Sequence, residues 1–401
     1  MAADGTAYEA GVESWHADGA GAPGRRIAYF GHDVADAAVR RRVRALLDDG
    51  LDVTGFMPSR RKDAELFWSN IDLGETVDGA FAKRLGTVFS GAAKAAAAAE
   101  LAAADVIIAR NLDMLACAFE AKRRARLDTP VIYECLDVHR LLTRHDPIGV
   151  AMRGMERALV SRCARVWVSS PGFLEHHFQP HHAGHYTADL LENRLPASSD
   201  FGPRPQQGGV RKPGPLRLGW VGNLRCARSF ALLLQLADRY GDQIEIHLHG
   251  QPARREIPVF EPEIEARANM RFHGRYNAPA DLADIYAGLD AVWAGDFMEA
   301  GANSVWLLPN RIYEGGYFAV PPIAPAGTQT SAWIEARETG MTLAEPLEET
   351  LPALLGGLIA DNAPLRTARD RLIALDSSVF VEPRGHLAGL IDQALAAEVS
   401  A

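Results

Sequence analysis

The chain has 401 residues, of which 48% are hydrophobic and 23% charged, and its formal net charge is −9. This balance is typical of a soluble globular protein, and the length suits two domains better than a single core. The pI of about 5.8, with no aromatic residues interleaved in the basic runs, argues against nucleic-acid binding. No apolar run reaches the roughly 18 residues that a membrane-spanning helix needs.

Two features predict the cellular compartment. Residues 1–24 are rich in small and acidic residues and lack an apolar h-region, which predicts a disordered extension rather than a secretory signal. The four cysteines are scattered singly, without Cys-x-x-Cys spacing. We therefore expect reduced thiols, no zinc site and a cytoplasmic protein.

The first predicted domain, residues 25–195, opens with a β-α-β pattern. A strand over residues 26–30 precedes a helix over about 35–49 and a strand over 51–56, which predicts a parallel sheet. His32 and Asp33 follow the first strand. A buried strand over 105–109 delivers Arg110 and Asn111 to its carboxyl end, where open α/β sheets bind ligands.

The loop after the next strand, residues 130–133, carries three titratable side chains, Glu134, Asp137 and His139. Such a group at a carboxyl end can supply a general base, a carboxylate that orients the base, or a clamp on a sugar hydroxyl. The alternative is structural, because Asp137 can also cap a helix running from His139 to Thr143.

Two basic clusters distinguish the first domain. They are Arg40, Arg41, Arg42 and Arg44, and then Arg60, Arg61 and Lys62. Clusters of this kind bind anionic membrane surfaces, at about 1 kcal/mol per basic residue near the lipid. A solvated helix face is the alternative for each.

A histidine-rich tract lies between residues 176 and 185. Its members are His176, His177, His181, His182 and His185. Their spacing is irregular and no acidic partner pattern accompanies them, so we expect no metal site there.

After a Pro- and Gly-rich linker at 196–215, the second predicted domain spans residues 216–375. Its first strand runs into Gly222 and Asn223, which we expect to open a helix. Glycine lets a backbone approach an anion, a helix N-terminus offers amide donors, and Arg225 and Arg228 add charge, so the segment fits a diphosphate. It lacks the three glycines of the dinucleotide fingerprint and the P-loop Gly-Lys-Ser/Thr.

Later segments of the second domain add further candidates. Gly250 ends the next strand, and a strand end at Arg275 and Tyr276 would meet a nucleotide base. Residues 308–324, LPNRIYEGGYFAVPPIA, predict a helix followed by a strand, with Asn310, Arg311 and Glu314 on the helix. Residues 376–401 predict helices.

In order along the chain, the second-domain segments are GWVGNLRCARS, HLHG, FHGRY, LPNRIYEGG and VPPIA. Together they resemble the donor domain of GT-B glycosyltransferases. The chain is more narrowly similar to bacterial exopolysaccharide hexosyltransferases of the succinoglycan-assembly type, which share the first-half segments GHD, IIARN and YECLD. The resemblance implies an α/β fold of two Rossmann-like domains facing a cleft, with the last helix returning to the first domain.

The resemblance also implies roles for individual residues. Gly222, Asn223 and Arg225 would hold the donor diphosphate, and Glu314 would accept hydrogen bonds from the ribose. Asn310 and Arg311 would contact the donor phosphate or sugar, and Asp137 the acceptor or its proton. The Glu-x7-Glu signature of family-four transferases would place its first glutamate at Trp306, and the family's first-domain histidine aligns with Leu136, so both groups are missing or moved.

The function that follows is transfer of a hexose, of the glucose or glucuronic acid type, from a UDP-sugar to a polyprenyl-diphosphate-linked oligosaccharide. The resemblance implies a metal-independent enzyme without a cofactor, peripheral at the inner membrane face, as a monomer or weak homodimer. His32, Asp33, Arg110 and Asn111 would lie on the acceptor side. The alternatives are a UDP-sugar epimerase, a non-catalytic nucleotide-sugar-binding partner and, more distantly, an NAD oxidoreductase.

Overall fold

A computed structural model describes residues 24–59, 65–74, 81–198, 201–207, 214–299 and 301–399. The predicted extension up to residue 23 and the basic cluster Arg60, Arg61 and Lys62 lie outside these residues. The described chain forms two parallel sheets, one of seven strands and one of six, each with helices on both faces.

The first sheet has the strand order β3-β2-β1-β4-β5-β6-β7. Its strands are β1 (Arg26–Phe30), β2 (Asp52–Met57), β3 (Ser69–Asp72), β4 (Val106–Arg110), β5 (Val131–Cys135), β6 (Arg165–Val168) and β7 (Ala188–Leu190). Its helices are α1 (Ala37–Asp48), α2 (Phe81–Ala96), α3 (Ala99–Ala102), α4 (Asn111–Ala125), α5 (Pro147–Val160), α6 (Pro171–Phe173) and α7 (Gln179–His182), with a π-helical turn over Leu174–Phe178 between the last two.

The second sheet has the order β10-β9-β8-β11-β12-β13. Its strands are β8 (Leu216–Leu224), β9 (Ile244–Pro252), β10 (Met270–Gly274), β11 (Ala291–Trp293), β12 (Pro322–Pro325) and β13 (Met341–Leu343). Its helices are α8 (Ala227–Tyr240), α9 (Phe260–Glu265), α10 (Leu282–Ala287), α11 (Asn303–Trp306), α12 (Asn310–Tyr317), α13 (Gln329–Arg337), α14 (Leu347–Ala360) and α15 (Ala363–Ala374), with 3₁₀ turns over Gly241–Gln243 and Ser377–Val379.

The C-terminal helix α16 (His386–Val399) packs on the first domain. Its apolar residues Leu387, Ile391 and Ala394 are buried in one cluster with β1 and α1. The return of the chain to the first domain is the arrangement that the resemblance implies. The segment that leads into α16 runs beside the start of the linker, where Leu195 and Glu382 share a backbone hydrogen bond. The carboxyl ends of the two sheets meet at a cleft, where Val138 N–H of the first domain donates to Asn303 Oδ1 of the second.

Two local expectations differ from the structure. Residues 139–143 form a turn rather than a helix, so Asp137 does not cap one. Strand β8 continues through Gly222 and Asn223, and helix α8 begins only at Ala227, where the Cys226 side chain accepts the N-cap hydrogen bond from Ser229 N–H. The glycine therefore lies at the end of a strand and not at a helix N-terminus.

The predicted membrane-binding role of the Arg40–Arg44 cluster is wrong for its two central members. Arg41 and Arg42 are 8% and 2% exposed because both turn inward from α1 to buried carboxylates. The guanidinium of Arg44 lies 3.8 Å from the ring centroid of Phe67, a cation–π contact. The charges of Arg41 and Arg42 are therefore used in contacts inside the protein rather than at its surface.

Candidate functional site

The carboxyl edge of the first sheet is built on a buried ion-pair network around Glu134. Its Oε1 accepts hydrogen bonds from Arg42 Nε at 2.7 Å and Arg110 Nη2 at 2.8 Å. Its Oε2 accepts from the Tyr29 hydroxyl at 2.6 Å and from Arg110 Nε at 3.0 Å. All four side chains are buried, so the network lies beneath the cleft floor rather than in it.

This network corrects two sequence expectations. Burial alone would raise the pKa of Glu134, but the charges of Arg110 and Arg42 outweigh it and hold the pKa at about 2. A carboxylate with both oxygens engaged and so low a pKa is a poor proton acceptor, so Glu134 does not serve as the base. Arg110 is fully buried beside Glu134, so its side chain is not exposed to bind an acceptor substrate.

Asp137 has the opposite environment, only three residues further along the chain. Its side chain is exposed to solvent, although protein atoms lie close enough to the carboxyl to desolvate it in part. Burial raises its pKa, against the opposing charges of His32 and of Arg225 from the other domain. A raised pKa suits a general base, which works best with a pKa near the operating pH. His139 lies on the same loop, half-buried.

Three more predicted residues surround the first-domain edge. His32 lies 3.6 Å from the Asp36 carboxylate, and although burial opposes it, the hydrogen bond with Asp36 raises its pKa. Asp33 accepts a hydrogen bond from Ala35 N–H and shapes the turn before α1. Asn111 adopts a positive φ of 66° at the start of α4, and its buried Oδ1 has no hydrogen-bond partner among the described residues. A buried acceptor without a partner is uncommon in a folded protein.

At the carboxyl edge of the second sheet, two glycines lie side by side on neighbouring strands. Gly222 and Gly250 are paired in register and have φ values of 115° and 134°, a region that favours glycine. A Cβ on Gly250 would lie 1.8 Å from the Gly222 carbonyl oxygen, so no side chain fits there. A Cβ on Gly222 would stand 4.0 Å from Arg311 Nη2, so this guanidinium lies close to the glycine.

Arg311 is a buried cation that the protein neutralises incompletely. Its Nη1 donates to the Trp293 carbonyl at 3.1 Å, and no carboxylate of the described chain lies within 4 Å of it. Burial lowers its pKa, and Asp296 only partly offsets this effect. An undercompensated guanidinium over a strand-end glycine is suited to a phosphate oxygen.

Arg225 and Arg228, the other two arginines predicted to bind the diphosphate, have different partners. Arg225 donates to Asp296 Oδ2 at 3.1 Å and remains partly exposed to the cleft, where the exposed Asn223 also lies. Arg228 donates instead to Glu345 at 2.7 Å and Glu348 at 3.1 Å. Because α8 begins later than expected, Arg228 faces α14 and its charge is already neutralised; we correct its assignment as a phosphate ligand.

Glu314 lies on α12 at the contact between the domains. Its Oε1 accepts a short hydrogen bond from Arg41 of the first domain, and its Oε2 accepts from the Tyr286 hydroxyl at 3.1 Å. A carboxylate offers about four lone-pair sites, so each oxygen keeps capacity for a ribose hydroxyl. Tyr276 is close enough for the charge of Glu314 to add to burial in raising the tyrosine pKa.

The remaining predicted donor residues flank this group. Asn310 Oδ1 accepts from Asn193 Nδ2 at 2.6 Å, a second contact between the domains. Arg275 is exposed at the end of β10. The structure therefore gathers Asn310, Arg311, Glu314 and Tyr276 around the glycine edge, with Arg225 facing Asp137 from the opposite wall.

Sequence reasoning missed three residues of the loop between β11 and α11. They are Asp296 and Glu299, with Asn303 where the loop joins α11 as its first residue. Asp296 holds Arg225, and Asn303 Oδ1 accepts from Val138 N–H of the first domain at 3.2 Å. Trp306, at the expected glutamate position, stacks with His176 of the first domain, with ring centroids 5.5 Å apart. The only sequence signal was the polar character of this strand-end loop.

Among the residues that the structure describes, two groups of side chains bring possible metal-ligand atoms together. Glu156 supplies the histidine tract with the acidic partner that the sequence pattern lacked: its Oε2 lies 2.7 Å from His177 Nε2 and 2.8 Å from His182 Nε2. All three are buried, and hydrogen bonding accounts for the contacts. His247, His249 and His273 form the second group, in which the last two rings stack in parallel at 4.1 Å. In this group the His247 Nδ1 and His273 Nε2 atoms lie 3.0 Å apart.

Comparisons with known proteins identify the family. The chain is 40% identical over 347 residues to the succinoglycan biosynthesis protein ExoL of Rhizobium meliloti (strain 1021), with 83% of this chain and 84% of that protein covered. The chain belongs to the ExoL family. No protein-family model matches it.

Solved structures show the fold of this ExoL family member. Sucrose-phosphate synthase from Thermosynechococcus elongatus superposes with a TM-score of 0.70 at 16% identity, covering 94% of this chain and 99% of that one. HepE from Anabaena in complex with UDP-glucose gives 0.65 at 14% identity, with the same coverage. The fold is the GT-B fold of glycosyltransferases, as the sequence resemblance implied. Among the described residues, no helix combines the length and apolarity of a membrane span.

Proposed function

We propose that this ExoL family member transfers a hexose from a UDP-sugar to a polyprenyl-diphosphate-linked oligosaccharide during exopolysaccharide assembly. Its membership of a succinoglycan biosynthesis family and its GT-B fold support a glycosyltransferase. HepE, a structural neighbour, is solved with UDP-glucose, which supports a nucleotide-sugar donor.

The observation that carries the donor site is the undercompensated Arg311 above the Gly222–Gly250 edge. In this proposal Arg311 and Arg225 hold the diphosphate, and Glu314 accepts hydrogen bonds from the ribose. No metal is required, because two guanidinium groups neutralise the leaving diphosphate.

Asp137 is the proposed proton acceptor on the other side of the cleft. The acceptor hydroxyl gives its proton to the Asp137 carboxylate while its oxygen bonds to the anomeric carbon. The bond from that carbon to the diphosphate oxygen breaks, and UDP leaves with the electron pair. A base that takes the proton of the attacking hydroxyl directly corresponds to a single displacement at the anomeric carbon.

The proposed membrane contact lies on α5 rather than on the Arg40–Arg44 cluster. Ile148 and Val150 are 53% and 60% exposed, an unusual state for large apolar residues. The exposed Arg140 and Arg144 lie on the loop that leads into this helix. Apolar side chains flanked by basic ones suit an anionic membrane surface, and α5 directly follows the loop that carries Asp137.

A UDP-sugar epimerase is the second candidate, because the cleft holds two carboxylates, Asp137 and Glu299, and the charge of Asp137 adds to burial in raising the pKa of Glu299. An epimerase converts UDP-sugars without any acceptor. Incubation of the protein with UDP-glucose alone would produce an epimer in that case, whereas a transferase leaves the sugar configuration unchanged.

Calorimetric titration tests the donor site. UDP, GDP and NAD are titrated into the wild type and into Glu314→Ala. We expect micromolar UDP binding and a loss of about 1.5 to 3 kcal/mol, tenfold or more, in the variant. NAD binding without UDP or GDP binding would overturn the proposal.

Glycosyl transfer to membrane-extracted lipid-linked saccharides tests the base. Asp137→Asn should lower kcat about 100- to 10,000-fold, the usual contribution of a general base, without changing UDP affinity. Full activity in this variant would remove Asp137 from the mechanism.

A further inference from the structure

Three histidines that have no part in the proposed transfer lie together on the β9–β10 strand pair. His247 and His249 alternate along β9, so their side chains leave the same face of the sheet. Ile246 and Leu248, the alternate residues of β9, are fully buried in the core on the other face. His273 belongs to the neighbouring strand β10 and is exposed. The strand pair therefore carries three imidazole rings within reach of one another.

The register of the two strands brings these rings into contact. The pairing of β10 with β9 is irregular between Phe272 and Gly274, and His273 occupies the irregularity. The ring of His273 stacks on that of His249, with centroids 4.1 Å apart, and its Nε2 lies 3.0 Å from His247 Nδ1. Each of the three histidines offers one nitrogen, and these nitrogens all lie within 4.8 Å of one another.

Glu245 lies at the second nitrogen of the His247 ring. Its Oε2 is 3.5 Å from His247 Nε2, and its Oε1 accepts a hydrogen bond from Arg271 Nη2 at 3.2 Å. The His247 Nε2 atom is buried and has no hydrogen-bond partner among the described residues. A carboxylate at this position favours the tautomer that carries its proton on Nε2, which leaves a lone pair on Nδ1. That lone pair belongs to the nitrogen next to His273.

The chemistry of the three side chains selects a class of ion. Neutral imidazoles suit zinc(II) and related transition-metal ions, whereas magnesium and calcium prefer oxygen ligands. Burial lowers the pKa of all three rings, that of His249 to about 4, so the rings are neutral at pH 7. Because His273 is exposed, an ion can reach the group from solvent and keep a water molecule as its fourth ligand.

We propose that His247, His249 and His273 bind one divalent transition-metal ion of the zinc type. Without the ion, the His273 Nε2–H donates to His247 Nδ1; the ion takes the place of this proton, which moves to Nδ1 of His273. The rings of His249 and His273 are parallel to within 1°, so coordination turns the exposed His273 ring off the face of His249. The ion takes no part in the transfer step. It joins β9 to β10 close to Gly250 and Arg275, and so stabilises this edge of the second sheet.

The expected absence of a zinc site followed from the spacing of the cysteines. The ligands proposed here are histidines instead, and His247 and His273 are 26 residues apart in the sequence. The pairing of β9 with β10 brings them together, so no local spacing of the kind that marks a zinc finger predicts the group.

Zinc titration of the full chain tests the proposal. The protein is prepared without a histidine tag, treated with a chelator and dialysed, and zinc chloride is added to the wild type, His273→Gln and His185→Gln. The last is the matched control, because His185 is an exposed histidine outside the group. The wild type and the control should bind one zinc ion per chain with a micromolar or lower Kd, and zinc should raise their thermal midpoints. The affinity of His273→Gln should be lower by about a hundredfold or more.

The outcomes separate this group from other sources of zinc binding. A wild type that binds no zinc at micromolar concentrations would overturn the proposal. Equal zinc affinity in the wild type and His273→Gln would also overturn it, and would direct attention to the buried group of Glu156, His177 and His182. Magnesium chloride should leave the thermal midpoint unchanged. An equal rise with magnesium would contradict binding by imidazoles.

Two further measurements distinguish coordination from a structural role of the rings. Cobalt(II) in place of zinc gives visible absorption bands that depend on its ligands, and His249→Gln and His273→Gln should both lose the bands of the wild type. Glu245→Gln removes the carboxylate beside His247 without removing a ligand, so zinc affinity should fall about ten- to a hundredfold. Circular dichroism without metal confirms that each variant is folded. Wild-type cobalt bands in both histidine variants would contradict the assignment of these ligands.

Discussion

The two edges of the cleft treat buried charge in opposite ways. At the first-domain edge, Glu134 is saturated by Arg42, Arg110 and Tyr29. At the second-domain edge, Arg311 is equally buried but has only a carbonyl and a distant carboxylate. A saturated charge belongs to the architecture. A charge that the protein leaves undercompensated costs stability unless a ligand completes it, and this difference separates scaffold from binding site.

The largest effect should come from breaking the saturated network. Glu134→Gln removes the carboxylate and leaves the buried Arg42 and Arg110 with only the longer contacts to Glu382 at 3.8 Å and Asp36 at 4.0 Å, so we expect a loss of about 3–5 kcal/mol in the free energy of unfolding. Denaturant unfolding followed by circular dichroism measures it. Stability within about 1 kcal/mol of wild type would contradict a structural role for this glutamate.

The same network predicts a pH dependence. The folded pKa of Glu134, about 2, lies below the ordinary glutamate value of about 4.3. Its stabilisation is therefore fully present above about pH 4.3 and is lost as pH falls toward 2, a loss on the order of 3 kcal/mol. Denaturant unfolding at pH 5 and pH 3 measures the slope. The stability of Glu134→Gln should change less with pH over this window. Equal slopes for the variant and the wild type would contradict the low pKa assigned to Glu134.

A substitution at Arg311 should have the opposite effect on stability. Arg311→Met replaces an undercompensated buried cation by an apolar chain of similar length, so stability should be unchanged or higher. UDP affinity should fall by about 1.5 to 3 kcal/mol with the loss of a charged hydrogen bond. Titration and denaturant unfolding of one variant measure both. Lost stability with intact UDP binding would make Arg311 part of the scaffold.

The contrast between the edges also explains what the sequence could reveal. Strand positions such as 26–30, 165–168 and 244–250 follow from apolar runs ended by polar turns, and the GT-B resemblance follows from ordered segments. A contact between residues far apart in the sequence leaves no such local pattern. Nothing near Glu134 indicates that Arg42, 92 residues earlier, will neutralise it. The inward turn of Arg41 and Arg42 was missed because a run of arginines on a helix has the pattern of a solvent-exposed face.

The candidate site was predicted best where backbone geometry determines it. Gly222 was singled out because glycine lets a backbone approach an anion, and Gly250 because it ends the next strand; both have positive φ values, although the helix begins later than expected. Glu299 was missed because it belongs to an irregular loop. Its place opposite Asp137 depends on how two domains meet through Asn303, which no periodicity encodes.

The smallest effect should be at Arg228, and it sharpens the comparison within the second domain. Arg228 and Arg225 are three residues apart, yet the first pairs with two exposed glutamates while the second faces the cleft. Exposed ion pairs contribute about 0–1 kcal/mol, so Arg228→Gln should change stability by no more than that. Its UDP affinity should stay within twofold of wild type, whereas Arg225→Gln should weaken it tenfold or more. Titration of both variants with UDP measures the difference. Equal losses of UDP affinity would make Arg228 a diphosphate ligand and show that the late start of α8 does not turn it away from the cleft.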